Sequence, residues 1–70
     1  MLKKIQNFKE AEALKSGDII YDDPMVEIAR DFKIKLIFNR HMLIFHGGDF
    51  PSIKIIHKKE LFAGNWWVMI

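Results

Sequence analysis

Hydrophobic and polar side chains alternate through the middle of the chain. Residues 32–38 have an apolar side chain at every even position, and residues 42–46 form a second apolar run. Asn39-Arg40-His41 separates the runs, and two such runs joined by a short polar break predict a β-hairpin. Because alternate side chains of a strand point to opposite faces, one face of the first strand is predicted to be buried. Its buried side chains are expected to be Phe32, Ile34, Leu36 and Phe38.

The beginning of the chain has the spacing of a helix instead. Apolar positions recur at helical intervals from Phe8 to about Ser16, among residues that favour helices. Asn7 is a favourable N-cap residue, and Glu10 stands three residues later, as in a capping box. Gly17 can adopt the left-handed conformation that ends many helices. We therefore predict a helix over residues 8–16 that stops at Gly17.

Further strands are predicted at residues 19–21, 52–56 and 65–70, where β-favouring side chains are bounded by Gly, Pro, Asp or Asn. Between the last two, residues 58–63 predict a short helical turn with His57 at its N-cap. The core is expected to include Leu61, Phe62 and one of Trp66 and Trp67.

Residues 24–31 fit two patterns. Asp23 as an N-cap followed by Pro24 predicts a short helix, whereas Val26 and Ile28 also fit an extended alternation, so the conformation stays open. The elements together predict a single small α+β domain over residues 1–70. In this domain an N-terminal helix packs on an antiparallel sheet of about four or five strands, and a short helical turn precedes a C-terminal strand.

Size and composition favour self-association. The chain has 70 residues, 50% of them hydrophobic, and no cysteine. A domain this small seldom gains more than ~3–5 kcal/mol from its own core, and disulfides, a metal or oligomerisation usually supplement it. Because disulfides are excluded, we expect a homo-oligomer. Its interface is predicted to include strand residues from 32–46 or the Trp66-Trp67 strand.

Charge and hydropathy exclude several classes of protein. Eleven basic and nine acidic residues give a net charge of +2, which is too small for the concentrated basic surface of a nucleic-acid-binding protein. No apolar run approaches the ~20 residues of a membrane span, and Met1–Ile5 leads into no apolar signal-peptide region. We expect a cytoplasmic protein that binds neither a membrane nor specific nucleic acid.

The sequence does not indicate catalytic or metal chemistry. Cysteine and threonine are missing, and Ser16 and Ser52 occupy ordinary turn positions. The spacing of His41, His46 and His57 matches no zinc motif. We therefore expect no enzymatic activity, no metal and no cofactor.

Two stretches of the chain resemble a known family. Residues 7–17 read NFKEAEALKSG, and residues 58–68 read KKELFAGNWWV. The first is similar to the Phe-x-x-Ala helix with a Gly stop that opens the second described type of the phage Thoeris anti-defence sponges. The second is similar to that family's closing motif, in which an acidic residue precedes Leu, Leu or Phe, Ala, two further residues and Trp. Together the two motifs cover about a third of the chain.

The resemblance implies a phage-encoded, non-enzymatic oligomer that sequesters a cyclic nucleotide-like immune signalling molecule in the host cytoplasm. A second hypothesis is a small host-takeover protein that inhibits a host or defence protein by docking an apolar sheet face or an edge strand. A third, an SH3-like barrel that contacts nucleic acid, is disfavoured by the low net charge.

Binding of a phosphate group requires fixed cations near the turns. Arg30 and Arg40 are the only arginines, and a guanidinium matches phosphate better than an ammonium does. Arg40 lies in the most polar break between two strands, and such loop tips often carry binding residues. A base is expected to stack on a ring such as that of Tyr21. The predicted ligand-binding residues are Asn39, Arg40, His41, Arg30, Lys35 and Tyr21.

Overall fold

The computed structural model describes residues 1–69, in which six antiparallel strands form one sheet and two short helices lie on one of its faces. In chain order the elements are β1 (Leu2–Lys4), α1 (Phe8–Glu12), β2 (Ile19–Tyr21), β3 (Asp31–Phe38), β4 (His41–His46), β5 (Ser52–His57), α2 (Lys58–Phe62) and β6 (Trp67–Met69). The strand order across the sheet is β1-β6-β2-β3-β4-β5. The fold is of the α+β type, as the sequence predicts, with strands predominating.

The predicted architecture is wrong at the beginning of the chain, where the structure has the strand β1. It precedes α1, so the helix is not the first element, and it brings the number of strands in residues 1–69 to six instead of four or five. β1 pairs with β6, and the Ile5 N–H donates to the Trp66 carbonyl at 3.0 Å. The three residues of β1 contain two lysines and show no strand pattern, so only the pairing with the other end of the chain makes them a strand. Strand β6 confirms the predicted C-terminal strand, although Ile70 lies outside the described residues.

Helix α1 begins where the sequence predicts. The Glu10 N–H donates to Asn7 Oδ1 at 2.9 Å, and the Gln6 N–H donates to Glu10 Oε1 at 3.2 Å. The first bond satisfies an N–H group that the first turn of a helix leaves without a partner, so the predicted Asn7 cap is confirmed. In a capping box Glu10 would accept the N–H of Asn7, whereas here it accepts that of Gln6, the residue before the cap.

The same helix ends at Glu12, several residues before the predicted end. The residues that follow it bond to β3 instead, since Ser16 Oγ donates to the Lys35 carbonyl at 2.8 Å and the Gly17 N–H donates to the Ile34 carbonyl at 2.7 Å. Gly17 has a φ of 100° in this turn, a left-handed conformation that favours glycine. The prediction that Gly17 ends the helix is wrong because tertiary hydrogen bonds replace the last helical turns.

Residues 24–31, whose conformation the sequence left open, contain no helix and no strand before Asp31. Asp23 Oδ1 accepts the Met25 N–H at 2.9 Å, and the Met25 carbonyl accepts the Ile28 and Ala29 N–H groups at 3.1 and 2.9 Å. These bonds make a single helical turn that Asp23 caps. Strand β3 then begins at Asp31.

A β-bulge at Lys35 changes which side chains of β3 are buried. The pairing with β4 runs to Ile34, skips Lys35 and resumes at Leu36. Side chains beyond the bulge therefore point to the face opposite to the one that the alternation predicts. Phe32 and Ile34 are buried as predicted, but Leu36 and Phe38 are 58% and 46% exposed, so the prediction is wrong for these two.

The hydrophobic core lies between the sheet and the helices. It consists of Ile5, Ala11, Ile20, Phe32, Ile34, Met42, Ile44, Ile56, Leu61 and Trp66. The predicted burial of Leu61 and of one tryptophan is confirmed, with Trp66 as the buried one, and Phe62 is partly buried against this core. Lys58 is also buried, and its Nζ donates to Glu12 Oε1 at 3.1 Å, which joins α2 to α1.

Trp66 is expected to contribute more to stability than Trp67. The buried Trp66 ring meets the Phe32 ring edge-to-face at 5.4 Å, whereas Trp67 is half-buried in β6. We expect Trp66→Ala to lower the free energy of unfolding by about 3–5 kcal/mol, and Trp67→Ala to lower it much less. Urea denaturation followed by circular dichroism measures both values. Equal losses in the two variants would contradict this assignment of the core.

Candidate functional site

Five of the predicted ligand-binding residues lie at the two ends of β3. Asn39, Arg40 and His41 lie together at the turn between β3 and β4. Arg30 and Tyr21 lie at the other end, and the eight-residue strand between the two groups is about 23 Å long. One phosphate group can therefore contact one arginine or the other, but not both.

Arg30 is engaged within the protein. Its Nε donates to Asp22 Oδ2 at 2.8 Å, and its backbone N–H donates to Asp22 Oδ1 at 2.7 Å. The guanidinium carbon also lies 5.4 Å from the centre of the Phe32 ring. These contacts close the loop between β2 and β3 and offset the charge of Arg30, which gives this residue a structural role.

Lys35 and Tyr21 are also separate from the turn. Lys35 lies in the bulge, where its Nζ is 5.5 Å from the centre of the Phe45 ring on β4. Tyr21 is half-buried in β2, opposite Asp31 on one side and Trp67 on the other. The six predicted residues therefore do not form one site, and Asn39, Arg40 and His41 are the group that the fold brings together.

The turn between β3 and β4 is the centre of a basic cluster. His41 lies opposite His57 of β5, and their ring centroids are 4.9 Å apart in an edge-to-face arrangement. The Phe38 ring stacks on His41 at 6.0 Å, and Arg40 and Lys59 act electrostatically on His57. We call Phe38, Arg40, His41, His57 and Lys59 the hairpin-end cluster. Asn39 shapes the turn beneath it, with a φ of 56° that asparagine tolerates better than most residues.

Sequence reasoning identified His57 only as a helix cap, and this role is confirmed. Its Nδ1 accepts the Lys59 N–H at 3.0 Å, which requires a ring without a proton on that nitrogen. Loss of hydration, together with the charges of His41, Lys59 and Arg40, holds the pKa of His57 below its ordinary value of 6.5, while Glu60 acts in the opposite direction. Arg40 and Lys59 are the cationic side chains of the cluster, and such charges attract an anion.

A cavity of about 600 Å³ lies between α1 and the part of the sheet formed by β2 and β6. Of the predicted ligand-binding residues, Tyr21 lines it. Its charged lining consists of Lys3, Glu10 and Asp18, and Lys3 already pairs with Glu10 at 3.5 Å. Because carboxylates repel phosphate, this cavity does not suit the predicted nucleotide ligand.

The face of the sheet opposite the helices is largely apolar. On β3, β4 and β5 its side chains form three rows that cross the strands, namely Lys33-Phe45-Ile53, Leu36-Leu43-Ile55 and Phe38-His41-His57. We call these nine residues the open face. Leu36, Ile53 and Ile55 are 58%, 66% and 63% exposed. A continuous exposed apolar patch of this kind marks an interaction surface.

The two edges of the sheet are protected against pairing with another strand. β1 is three residues long and contains Lys3 and Lys4. At the other edge, Lys54 of β5 lies opposite the buried Ile44, and its Nζ is 5.3 Å from the centre of the Phe32 ring. Short strands, lysines and charges that point toward the core are features by which edge strands avoid further pairing. The open face, not an edge, is thus the surface suited to a partner.

Within residues 1–69, no group of three or more His, Cys, Asp or Glu side chains is arranged to hold a metal ion. No helix in this part of the chain is long and apolar enough to cross a membrane. No family model matches the chain, and no match was found among curated proteins or solved structures. The resemblance to the anti-defence sponges therefore rests on the two sequence motifs alone.

The free energy of unfolding is predicted to decrease as the pH is lowered below about 6.5, because His57 becomes protonated. Its pKa is lower in the folded than in the unfolded chain, so the unfolded chain binds more protons between the two values. The contribution of His57 to the stability is therefore complete above the pKa that it has in the unfolded chain. It is lost as the pH falls through the pKa that it has in the folded chain. Protonation also removes the Nδ1 acceptor that caps α2.

The prediction is tested by measuring the melting temperature from about pH 7.5 to about pH 5. In His57→Asn the cap is retained without a titrating ring, so the variant should lose part of the pH dependence. A nuclear magnetic resonance titration of the His57 ring measures its pKa directly. A pKa at or above the ordinary value, or the same pH dependence in the asparagine variant, would contradict the prediction.

Proposed function

We propose that the chain is a non-catalytic binding protein that inhibits another protein by docking the open face on it. The observation that supports this proposal best is the exposure of Leu36 on β3 and of Ile53 and Ile55 on β5, which lie on one face of the sheet on either side of β4. Apolar surface gains free energy when it is removed from water, so such a patch favours a partner that covers it.

The proposed partner is a host or defence protein, as expected for a phage-encoded inhibitor of the host. A second copy of this chain is the competing occupant, because a cysteine-free chain of 70 residues gains stability from self-association. If the partner is a host or defence protein, Ile55 contacts a different polypeptide, whereas in a dimer Ile55 contacts a second copy of this chain.

A photo-crosslinking side chain placed at position 55 tests this proposal in cells that produce the protein. We expect a crosslink to one polypeptide other than the chain itself, and we expect Ile53→Asp to abolish it, because a carboxylate beside the crosslinker disrupts an apolar contact. A crosslinker at position 27, which is exposed in the loop between β2 and β3, is the control. Crosslinks that join only copies of this chain, or that equal the control, would contradict the proposal.

A second candidate function is the sequestration of a cyclic nucleotide-like signalling molecule without catalysis, as the family resemblance implies. The hairpin-end cluster supports it, because Arg40 and Lys59 supply positive charge beside the stacked Phe38 and His41 rings. A phosphate group is stabilised by such cations, and a base stacks on an aromatic or imidazole ring. Arg30, Lys35 and Tyr21 are not part of this smaller site.

Arg40→Ala is expected to weaken such binding by about ten- to a hundredfold, since a hydrogen bond to a charged group contributes about 1.5–3 kcal/mol. Arg30→Ala removes the other arginine at the far end of β3 and should leave the affinity unchanged. Native mass spectrometry and calorimetry with a panel of cyclic nucleotides measure ligand stoichiometry and affinity. If neither variant changes the affinity, or if no cyclic nucleotide binds, the sponge hypothesis fails.

A further inference from the structure

The open face has positive charge along one side. Lys33 belongs to the first of its rows, and Lys35 lies in the bulge with its Nζ over the Phe45 ring. Within residues 1–69 no carboxylate lies within 4.0 Å of either ammonium group, whereas Lys3, Lys58 and Arg30 each have such a partner. In this part of the chain Lys33 and Lys35 therefore flank the apolar rows on the β3 side without forming an ion pair.

Several acidic side chains are engaged away from Lys33 and Lys35, and the carboxylate of Asp31, two residues before Lys33 on β3, lies 3.5 Å from His46. Glu10 and Glu12 belong to α1 and form ion pairs with Lys3 and Lys58 on the helix-covered side of the sheet. Asp22 holds the loop that contains Arg30. Although the net charge of the chain is only +2, the open face is therefore more basic than the molecule as a whole.

The dimensions of the apolar rows match one helix. Three neighbouring strands are about 10 Å wide, and three rows spaced two residues apart span about 14 Å along the strands. An α-helix is about 10 Å in diameter, and about three turns cover this length. The opposite face of the same sheet is already covered by α1 and α2. Pairing with a strand is disfavoured by Lys3, Lys4 and Lys54 at the sheet edges.

We infer that the open face binds an acidic amphipathic helix of a partner protein, whose apolar stripe covers Leu36, Leu43 and Ile55 and whose carboxylates face Lys33 and Lys35. This inference rests on the proposed docking function and specifies the chemistry of the partner. A second copy of the chain is a poorer occupant, because it brings a further Lys33 and Lys35 to the interface and only Asp31 as a carboxylate on the same strand.

Two synthetic peptides of about fifteen residues test the inference. They share one leucine and isoleucine stripe at helical spacing, and their remaining positions carry glutamate in one peptide and lysine in the other. Fluorescence anisotropy should show binding of the acidic peptide and at least tenfold weaker binding of the basic one. The affinity for the acidic peptide should fall with rising salt, because exposed charges are screened.

Variants of this chain locate the site. Lys33→Glu combined with Lys35→Glu should weaken binding of the acidic peptide about tenfold. Lys9→Glu combined with Lys15→Glu changes the net charge equally but lies away from the open face, and it should have little effect. Ile55→Ser should weaken binding of the acidic peptide about ten- to a hundredfold by removing apolar contact. Circular dichroism establishes that each variant is folded.

The outcomes distinguish this inference from the proposed function. If both peptides bind equally and Ile55→Ser weakens both, the inference that the partner is acidic is wrong. Docking by the open face would still hold. Binding to vesicles of phosphatidylcholine and phosphatidylserine without binding of the acidic peptide would replace the protein partner with a membrane. Binding of neither peptide, with a dimer in sedimentation equilibrium that Ile55→Ser dissociates, would overturn both the inference and the docking function.

Discussion

The structure depends on the limited cover that two short helices give to a broad sheet. α1 and α2 contain five residues each, so each is only about 7.5 Å long, whereas the molecule extends over 30 and 23 Å in the directions of its two longer axes. The helices can therefore bury one face of the sheet but not both. The Lys58–Glu12 ion pair and the edge-to-face contact between Phe8 and Phe62 hold the helices together on that face. The opposite face remains in solvent, and the proposed functions follow from this asymmetry.

The bulge at Lys35 places Leu36 and Phe38 on the opposite face. Without the extra residue, Leu36 and Phe38 would point into the core with Phe32 and Ile34, as the alternation predicts. Hydrogen bonds from Ser16 and Gly17 to the carbonyl groups of Lys35 and Ile34 support the chain at this point. The same bonds shorten α1. The bulge is thus connected with three features: the length of α1, the side chains of the open face and the position of Lys35 beside that face.

The two proposed functions use different parts of one surface. Docking of a protein depends on the aliphatic rows of the open face, whereas binding of a phosphate depends on Arg40 and the histidine pair at its end. His41 and His57 belong to both regions, because the register of β4 and β5 places them opposite each other in the last row. The exposed apolar area supports docking as the first of the two proposals. The hairpin-end cluster is a smaller feature, and it forms no enclosed pocket with Arg30 or Tyr21.

The sequence by itself determined the features that depend on neighbouring residues. The Asn7–Glu10 cap, the hairpin around Asn39, the cap at His57 and the short helix before the last strand all follow from local preferences of the backbone. The burial of Leu61 and a tryptophan was predictable because such side chains are costly to expose. Tertiary structure alone decided the pairing of β1 with β6, the bulge and the exposure of Leu36 and Phe38. It also separated Arg30 from Arg40 and joined His41 to His57. Each of these depends on strand register or on contacts between distant residues, and a pattern of alternating residues contains no information about an extra residue in a strand.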